Sequence, residues 1–114
     1  MSVLKAAVVG CSGPRLTDEE RRLFHDADPL GFILFARNCV DPTQLRALVD
    51  ELRATVGRAD APVLIDQEGG RVARLGPPHW RKAPPASEFA AMFRTDPRAG
   101  VAAARLNARL MADE

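Results

Sequence analysis

Residues 30–66, LGFILFARNCVDPTQLRALVDELRATVGRADAPVLID, hold two apolar runs separated by one stretch of helical spacing. The first run, LGFILFARN (residues 30–38), is rich in β-formers at its centre and predicts a strand. Asp41 then precedes Pro42, an N-cap followed by proline at the first helical position, where the missing N–H is tolerated. Behind it Leu45, Leu48, Val49, Leu52 and Val56 recur at three- and four-residue spacing, one apolar stripe that Gly57 ends. The second run, APVLID, predicts another strand, which Gly69 and Gly70 prevent from continuing regularly. Two strands apolar throughout, joined by an amphipathic helix, are the pattern of a parallel sheet with helices outside.

The same alternation extends in both directions. Upstream, LKAAVVG (residues 4–10) predicts a buried strand ended by glycine. In LTDEERRLFHDA, Thr17 stands three residues before Glu20, the spacing of a capping box, and Asp18 and Glu19 favour a helix N-terminus. Downstream, residues 76–85, GPPHWRKAPP, are too proline-rich for helix or central strand. Ser87 is expected to cap a short helix, SEFAAMFR. Asp96 and Pro97 repeat the cap-plus-proline signal before an alanine-rich helix expected to run on to Glu114. The expected fold class is α/β, with three parallel strands and outer helices. Three strands cannot hide both edges of such a sheet, and the last helix has no glycine or proline stop, so the chain is expected to be the N-terminal part of a longer protein.

Composition narrows the function classes. The chain has 114 residues, 46% hydrophobic and 27% charged, which is globular rather than disordered. Lys and Arg number 16 against 15 Asp and Glu, so a net charge of +1 gives no footprint for nucleic acid or an anionic membrane. No apolar run is long enough for a signal-peptide core or a bilayer span, and the cytoplasm is the expected compartment. Cys11 and Cys39 lack CxxC spacing and only His25 and His79 accompany them, too few ligands for a zinc site. No metal is expected. Both cysteines follow apolar runs read as adjacent strands, and free thiols are the expected state in a reducing compartment.

In parallel α/β folds the residues that do chemistry sit at the C-terminal ends of strands. Asp66 holds that position on the third predicted strand, Arg37 and Asn38 on the second, and residues 12–15 follow the first. A carboxylate closing an apolar strand needs donors, because an unpaired buried charge is too costly. Arg74, backbone amides and the hydroxyls of a ligand all qualify, so a structural salt bridge and a ligand contact both stay open. The continuation QEGGRVARL adds Glu68, Arg71 and Arg74 around two glycines that admit positive φ angles and a tight return of the chain. Carboxylates and guanidinium groups around one small volume suit the hydroxyls of a sugar.

GFILFARN, the DPTQL helix start and LIDQEGGRVARL with its proline-rich tail together resemble the N-terminal part of the β-N-acetylhexosaminidases of glycoside hydrolase family three. These are bacterial enzymes that remove N-acetylglucosamine from cell-wall fragments. The resemblance runs from about Leu16 to the end of the chain. It implies a TIM-type (β/α) barrel, with residues 1–114 forming the N-terminal part of a single catalytic barrel. It further implies a retaining mechanism through a covalent glycosyl-enzyme, with an aspartate nucleophile and a histidine acid/base that lie beyond Glu114. No catalytic residue is therefore expected in this chain, and no cofactor. By the resemblance Asp66 matches the aspartate that holds sugar hydroxyls in the non-reducing-end subsite. Arg74 matches a second substrate-contacting residue. The implied partner is a carbohydrate, N-acetylglucosamine-containing muropeptides, with neither nucleic acid nor membrane.

Glu68 could serve as a second catalytic carboxylate, since glycosidases commonly use two, but a loop-folding role is the preferred reading, as it is for Arg71. His79 and Trp80 offer an aromatic platform for a sugar or, in the preferred reading, packing over the proline segment. His25 is expected at the surface. GCSG (residues 10–13) is a fragment of a phosphate-binding glycine loop without its third glycine or the helix directly behind it. Two rival functions remain: a β-glucosidase or other glycosidase of the same family, and a sugar-binding protein without catalysis.

Overall fold

The computed structural model describes residues 3–114 and divides them into two compact units, one ending at Ile65 and one spanning Asp66–Glu114. The first unit contains strand β1 (Lys5–Val9), helix α1 (Asp18–Ala27), strand β2 (Pro29–Leu34), a 3-10 turn (Ala36–Asn38), helix α2 (Pro42–Val56) and strand β3 (Val63–Ile65). The three strands form one sheet in the order β1-β2-β3, and both pairings are parallel. Val9 pairs with Phe32, and Phe32 with Val63. The expected parallel β/α arrangement is thus present.

Local chemistry starts and stops the helices. The Thr17 side chain accepts from the Glu20 N–H at 3.1 Å while the Glu20 carboxylate accepts from the Thr17 N–H at 2.9 Å, a complete capping box. Asp41 caps α2 by accepting from the Gln44 N–H at 2.8 Å, and Gly57 closes it with φ of 63°. The α2 stripe then meets the sheet. Leu48 and Leu52 are buried with Phe24, Phe32 and Leu34, and Leu45, Val49 and Val56 pack around them. The Phe24 and Phe32 rings meet edge to face at 5.4 Å. Cutting Leu48 or Leu52 back to alanine in such a core costs about 2–5 kcal/mol.

Two expectations for this unit are corrected. The strand predicted over residues 30–38 stops at Leu34, because the Asn38 side chain accepts from the Phe35 N–H at 2.8 Å and the Asn38 N–H turns back to the Phe35 carbonyl. Strand β1, expected to be buried, is exposed over Lys5–Val8 and only Val9 joins the core. Among the described residues it pairs with β2 and with no other strand, and Leu64 on β3 is likewise exposed while Val63 and Ile65 pack inward. Side chains alternate along a strand, so this sheet carries helices on one face and leaves apolar side chains on the other.

The second unit holds a short antiparallel hairpin, β4 (Gln67–Gly69) and β5 (Val72–Ala73), then a loop and two helices, α3 (Ala86–Thr95) and α4 (Pro97–Ala112). Asp96 caps α4, its carboxylate accepting from the Arg98 and Ala99 N–H groups. The helices cross closely at Gly100, where a Cβ would come within 2.5 Å of the Phe93 Cα. Ser87 does not cap α3: it lies inside the helix, whose N-cap is Pro85, so the predicted cap falls two residues too late. Helix α4 ends at Ala112 rather than continuing to Glu114. The hairpin was not foreseen.

Candidate functional site

Asp66 directly follows Ile65, the last residue of β3, and opens the second unit. Within that unit the Arg74 Nη2 donates to the Asp66 Oδ2 at 3.1 Å. The two sequence-predicted site residues are therefore in direct contact. Their side chains keep 44% (Asp66) and 28% (Arg74) of their accessible surface, so water screens the pair. An ion pair of that exposure stabilises a fold by about 0–1 kcal/mol. A structural salt bridge is consequently a weak account of why both charges stand here.

The hairpin sets this contact by backbone geometry. Gly69 and Gly70 adopt φ of 90° and 61°, the left-handed region that side chains disfavour. The Gly70 N–H donates to the Ala83 carbonyl at 3.0 Å. A Cβ on Gly69 would overlap the Pro84 carbonyl oxygen, and one on Gly70 would lie 2.7 Å from the Pro85 Cβ. The proline-rich segment thus lies directly against the glycines, which explains why two consecutive residues without side chains are needed there.

Gln67, which the sequence pattern does not single out, has the densest side-chain bonding of the hairpin. Its Oε1 accepts from the backbone N–H groups of Arg74 at 2.9 Å and Leu75 at 3.0 Å, and its Nε2 donates to the Leu75 carbonyl at 3.0 Å. A single amide thereby fills the backbone valences of the returning strand where β5 ends. The only signal in the sequence is a neutral amide set among charged residues.

Glu68 and Arg71 do not join the Asp66–Arg74 contact. Both are exposed, and among the described residues neither makes a side-chain hydrogen bond or ion pair. Trp80 is buried at 9% exposure, its backbone N–H bonded to the Gly76 carbonyl at 3.1 Å and its ring edge-on to exposed His79 at 5.9 Å. Packing, not an open stacking face, accounts for that tryptophan.

In the first unit the strand-end residues tie loops together. Arg37 Nε donates to the Cys11 carbonyl at 3.1 Å, and its guanidinium lies 4.8 Å from the Phe35 ring centre. Asn38, fully buried, donates to the carbonyls of Cys11 at 3.2 Å and Gly13 at 2.8 Å. The GCSG turn offers its Ser12 N–H to the Glu20 carboxylate at 2.7 Å, a partner that would repel a phosphate. Burial works against the charged form of Glu20, but the hydrogen bonds from Thr17 and Ser12 outweigh it and hold the carboxyl below its usual range. Cys11 and Cys39 are free thiols; burial raises the pKa of both, and the nearby Glu20 charge raises that of Cys11 further. Neither is activated as a thiolate. His25 is exposed, with Nδ1 3.3 Å from the Thr55 carbonyl. Among the described residues no group of three or more His, Cys, Asp or Glu is placed to hold a metal ion, and no helix is long and apolar enough to cross a membrane.

A parallel β/α sheet, its third strand running into a glycine-hinged turn with a carboxylate and a guanidinium in contact, defines the class: the N-terminal region of a TIM-type barrel, as in the solved NagZ structures. The chain is 41% identical over 108 residues to a β-hexosaminidase of Xanthomonas campestris pv. campestris (strain B100), covering 94% of this chain and 32% of the relative. It is 42% identical over 102 residues to a β-hexosaminidase of Methylococcus capsulatus, covering 90% of this chain and 29% of that protein. The crystal structure of NagZ from Neisseria gonorrhoeae in complex with N-trifluoroacetyl-D-glucosamine superposes with a TM-score of 0.82 at 31% identity, over 92% of this chain and 31% of that one. A glycoside hydrolase family 3 β-N-acetylglucosaminidase from Paenibacillus gives a TM-score of 0.61 at 30% identity, over 72% of this chain and 16% of its own. No family model matches the chain. Sequence and fold together liken the chain to part of the β-N-acetylhexosaminidases of glycoside hydrolase family three. It spans about a third of the length of the curated relatives it matches.

Proposed function

We propose that this chain is the N-terminal part of a single catalytic barrel, and that the complete protein is a glycoside hydrolase removing non-reducing terminal β-linked N-acetylglucosamine. Cell-wall muropeptides are its proposed substrates, the cytoplasm its proposed location, and a retaining mechanism without a cofactor its proposed chemistry. Asp66 and Arg74 bind the sugar. The carboxylate accepts from sugar hydroxyls, and the guanidinium, already donating to that carboxylate, donates to a hydroxyl oxygen beside it. A vicinal pair of hydroxyls can satisfy both at once. The nucleophile and the acid/base are assigned to residues outside the 114 described by this sequence, so the chain contributes binding rather than bond cleavage.

The observation that carries this reading is the Asp66–Arg74 contact on its glycine hinge. The Asp66 and Arg74 side chains keep 44% and 28% of their surface, and an ion pair of that exposure adds little to stability. Support from outside the chain comes from the Neisseria NagZ complex with an N-acylated glucosamine, whose fold this chain matches. Hydrolysis of paired p-nitrophenyl glycosides by the complete protein tests the proposal. Turnover of the β-N-acetylglucosaminide well above that of the β-glucoside is expected. The reverse preference would move the protein to the glucosidases, and turnover of neither would leave a sugar-binding protein without catalysis.

A further inference from the structure

The Asp66–Arg74 contact depends on where the backbone of Arg74 is held, and that is set by a side chain rather than by a strand ladder. Strand β5 has only two residues, Val72 and Ala73, and its pairing with β4 is irregular between Gln67 and Gly69. A two-residue strand fixes the position of the next residue poorly. Arg74 nevertheless has its N–H bound at 2.9 Å to Gln67 Oε1, and Leu75 has both its N–H and its carbonyl bound to the same amide at 3.0 Å. Gln67 is also the immediate chain neighbour of Asp66. One residue therefore adjoins the carboxylate along the chain and grips the guanidinium's own backbone through its side chain.

We propose that Gln67 is the positioning residue of the sugar site: its amide sets the register of Arg74 against Asp66, so that both charges reach one sugar residue together. This inference rests on the binding role given to Asp66 and Arg74 above. Glutamine suits the task because its amide has an acceptor that takes two N–H groups and a donor for the Leu75 carbonyl beyond β5. Glutamate would lose the donor, and an aliphatic residue would leave three backbone groups to find water. Gln67 itself need not touch the sugar.

The test uses the complete protein with Gln67→Ala, the similarly sized Gln67→Met, Arg74→Ala and each Gln67 change combined with Arg74→Ala. N-acetylglucosamine binding is read by calorimetry, and protection of the Arg74 and Leu75 amides by hydrogen exchange. Loss of Gln67 is expected to weaken sugar binding about tenfold, the scale of one to two neutral hydrogen bonds, and to unprotect both amides. In the Arg74→Ala background the same change is expected to cost less than about twofold, since there is no guanidinium left to position. Gln67→Met keeps the side-chain volume if Gln67→Ala fails to fold. Additive losses would reduce Gln67 to a general stabiliser and overturn the inference, as would unchanged affinity in Gln67→Met while Arg74→Ala binds poorly. Should neither Asp66→Ala nor Arg74→Ala affect sugar binding, the binding role itself is wrong and this inference goes with it.

Discussion

Asp66 and Arg74 are eight residues apart in the chain and 3.1 Å apart in space, across a hairpin whose turn, Gly70-Arg71, follows Gly69 at the end of β4. Both retain substantial exposure, so the contact is strong enough to orient two charges and too well hydrated to anchor a fold. That balance separates the structural from the ligand-binding reading of Asp66. In the complete protein, Asp66→Ala is expected to lower the melting temperature by less than about 4 °C. If the carboxylate accepts two sugar hydroxyls, each bond is worth about 1.5–3 kcal/mol, and kcat/KM should fall by roughly two to four powers of ten. A large drop in melting temperature with unchanged affinity for N-acetylglucosamine would return Asp66 to a purely structural role.

The glycine hinge makes a sharper structural prediction. Gly69→Ala places a Cβ onto the Pro84 carbonyl oxygen in a residue with φ of 90°. A side chain in that left-handed region alone costs about 1–2 kcal/mol, before the overlap is relieved. Gly76→Ala is the control, because nothing lies within 4 Å of its Cβ and its φ is not in that region. Urea unfolding should show Gly69→Ala destabilised by about 2 kcal/mol or more, with Gly76→Ala within about 0.5 kcal/mol of the parent. Equal midpoints for the two variants would contradict the close approach of the proline segment.

Where the sequence was legible, the cause was local. Thr17 with Glu20, Asp41 with Gln44, and Asp96 with Ala99 are caps whose partners lie three residues on, and the glycines at 57, 69 and 70 take positive φ as their positions implied. The parallel sheet followed from two apolar runs and a capped helix between them. What stayed hidden depends on distant partners. Strand β2 stops at Leu34 where Asn38 bonds back to Phe35, and Asn38 turns inward because its amide finds carbonyls at Cys11 and Gly13, more than twenty residues earlier. The exposure of β1 depends on what lies beside it, which no strand pattern states. At the candidate site, two charges near paired glycines were visible, whereas Gln67 bonds to backbone and leaves no mark in periodicity or charge.

Asn38 supplies a third prediction, for the core of the first unit. Its oxygen accepts from the Phe35 N–H and its nitrogen donates to two carbonyls, while Asn38 itself has 0% exposure. Asn38→Ala strands these groups together and is expected to cost about 2–4 kcal/mol. Asn38→Asp should also destabilise, since it aims a carboxylate at two carbonyl oxygens. Thermal melts of both variants test this, and an alanine variant as stable as the parent would show that water replaces the amide.

The last prediction concerns acid. The Glu20 carboxylate is the acceptor for the N–H groups of Thr17 and Ser12, and these bonds hold its pKa below the ordinary glutamate value despite the opposing effect of burial. A group whose folded pKa is depressed contributes stability that is complete above its unfolded pKa and is lost as pH falls through the folded one. Binding between α1 and the turn after β1 should therefore weaken on the acid side, first as Glu20 takes up a proton. Glu20→Gln keeps one acceptor oxygen but not the charge, so it should be less stable than the parent near neutral pH and converge with it at low pH. Urea midpoints measured for both proteins across the carboxylate range would show the gap closing as pH falls. A constant gap at every pH would mean that the Glu20 charge does nothing for the capping box, and that the substitution acts through packing alone.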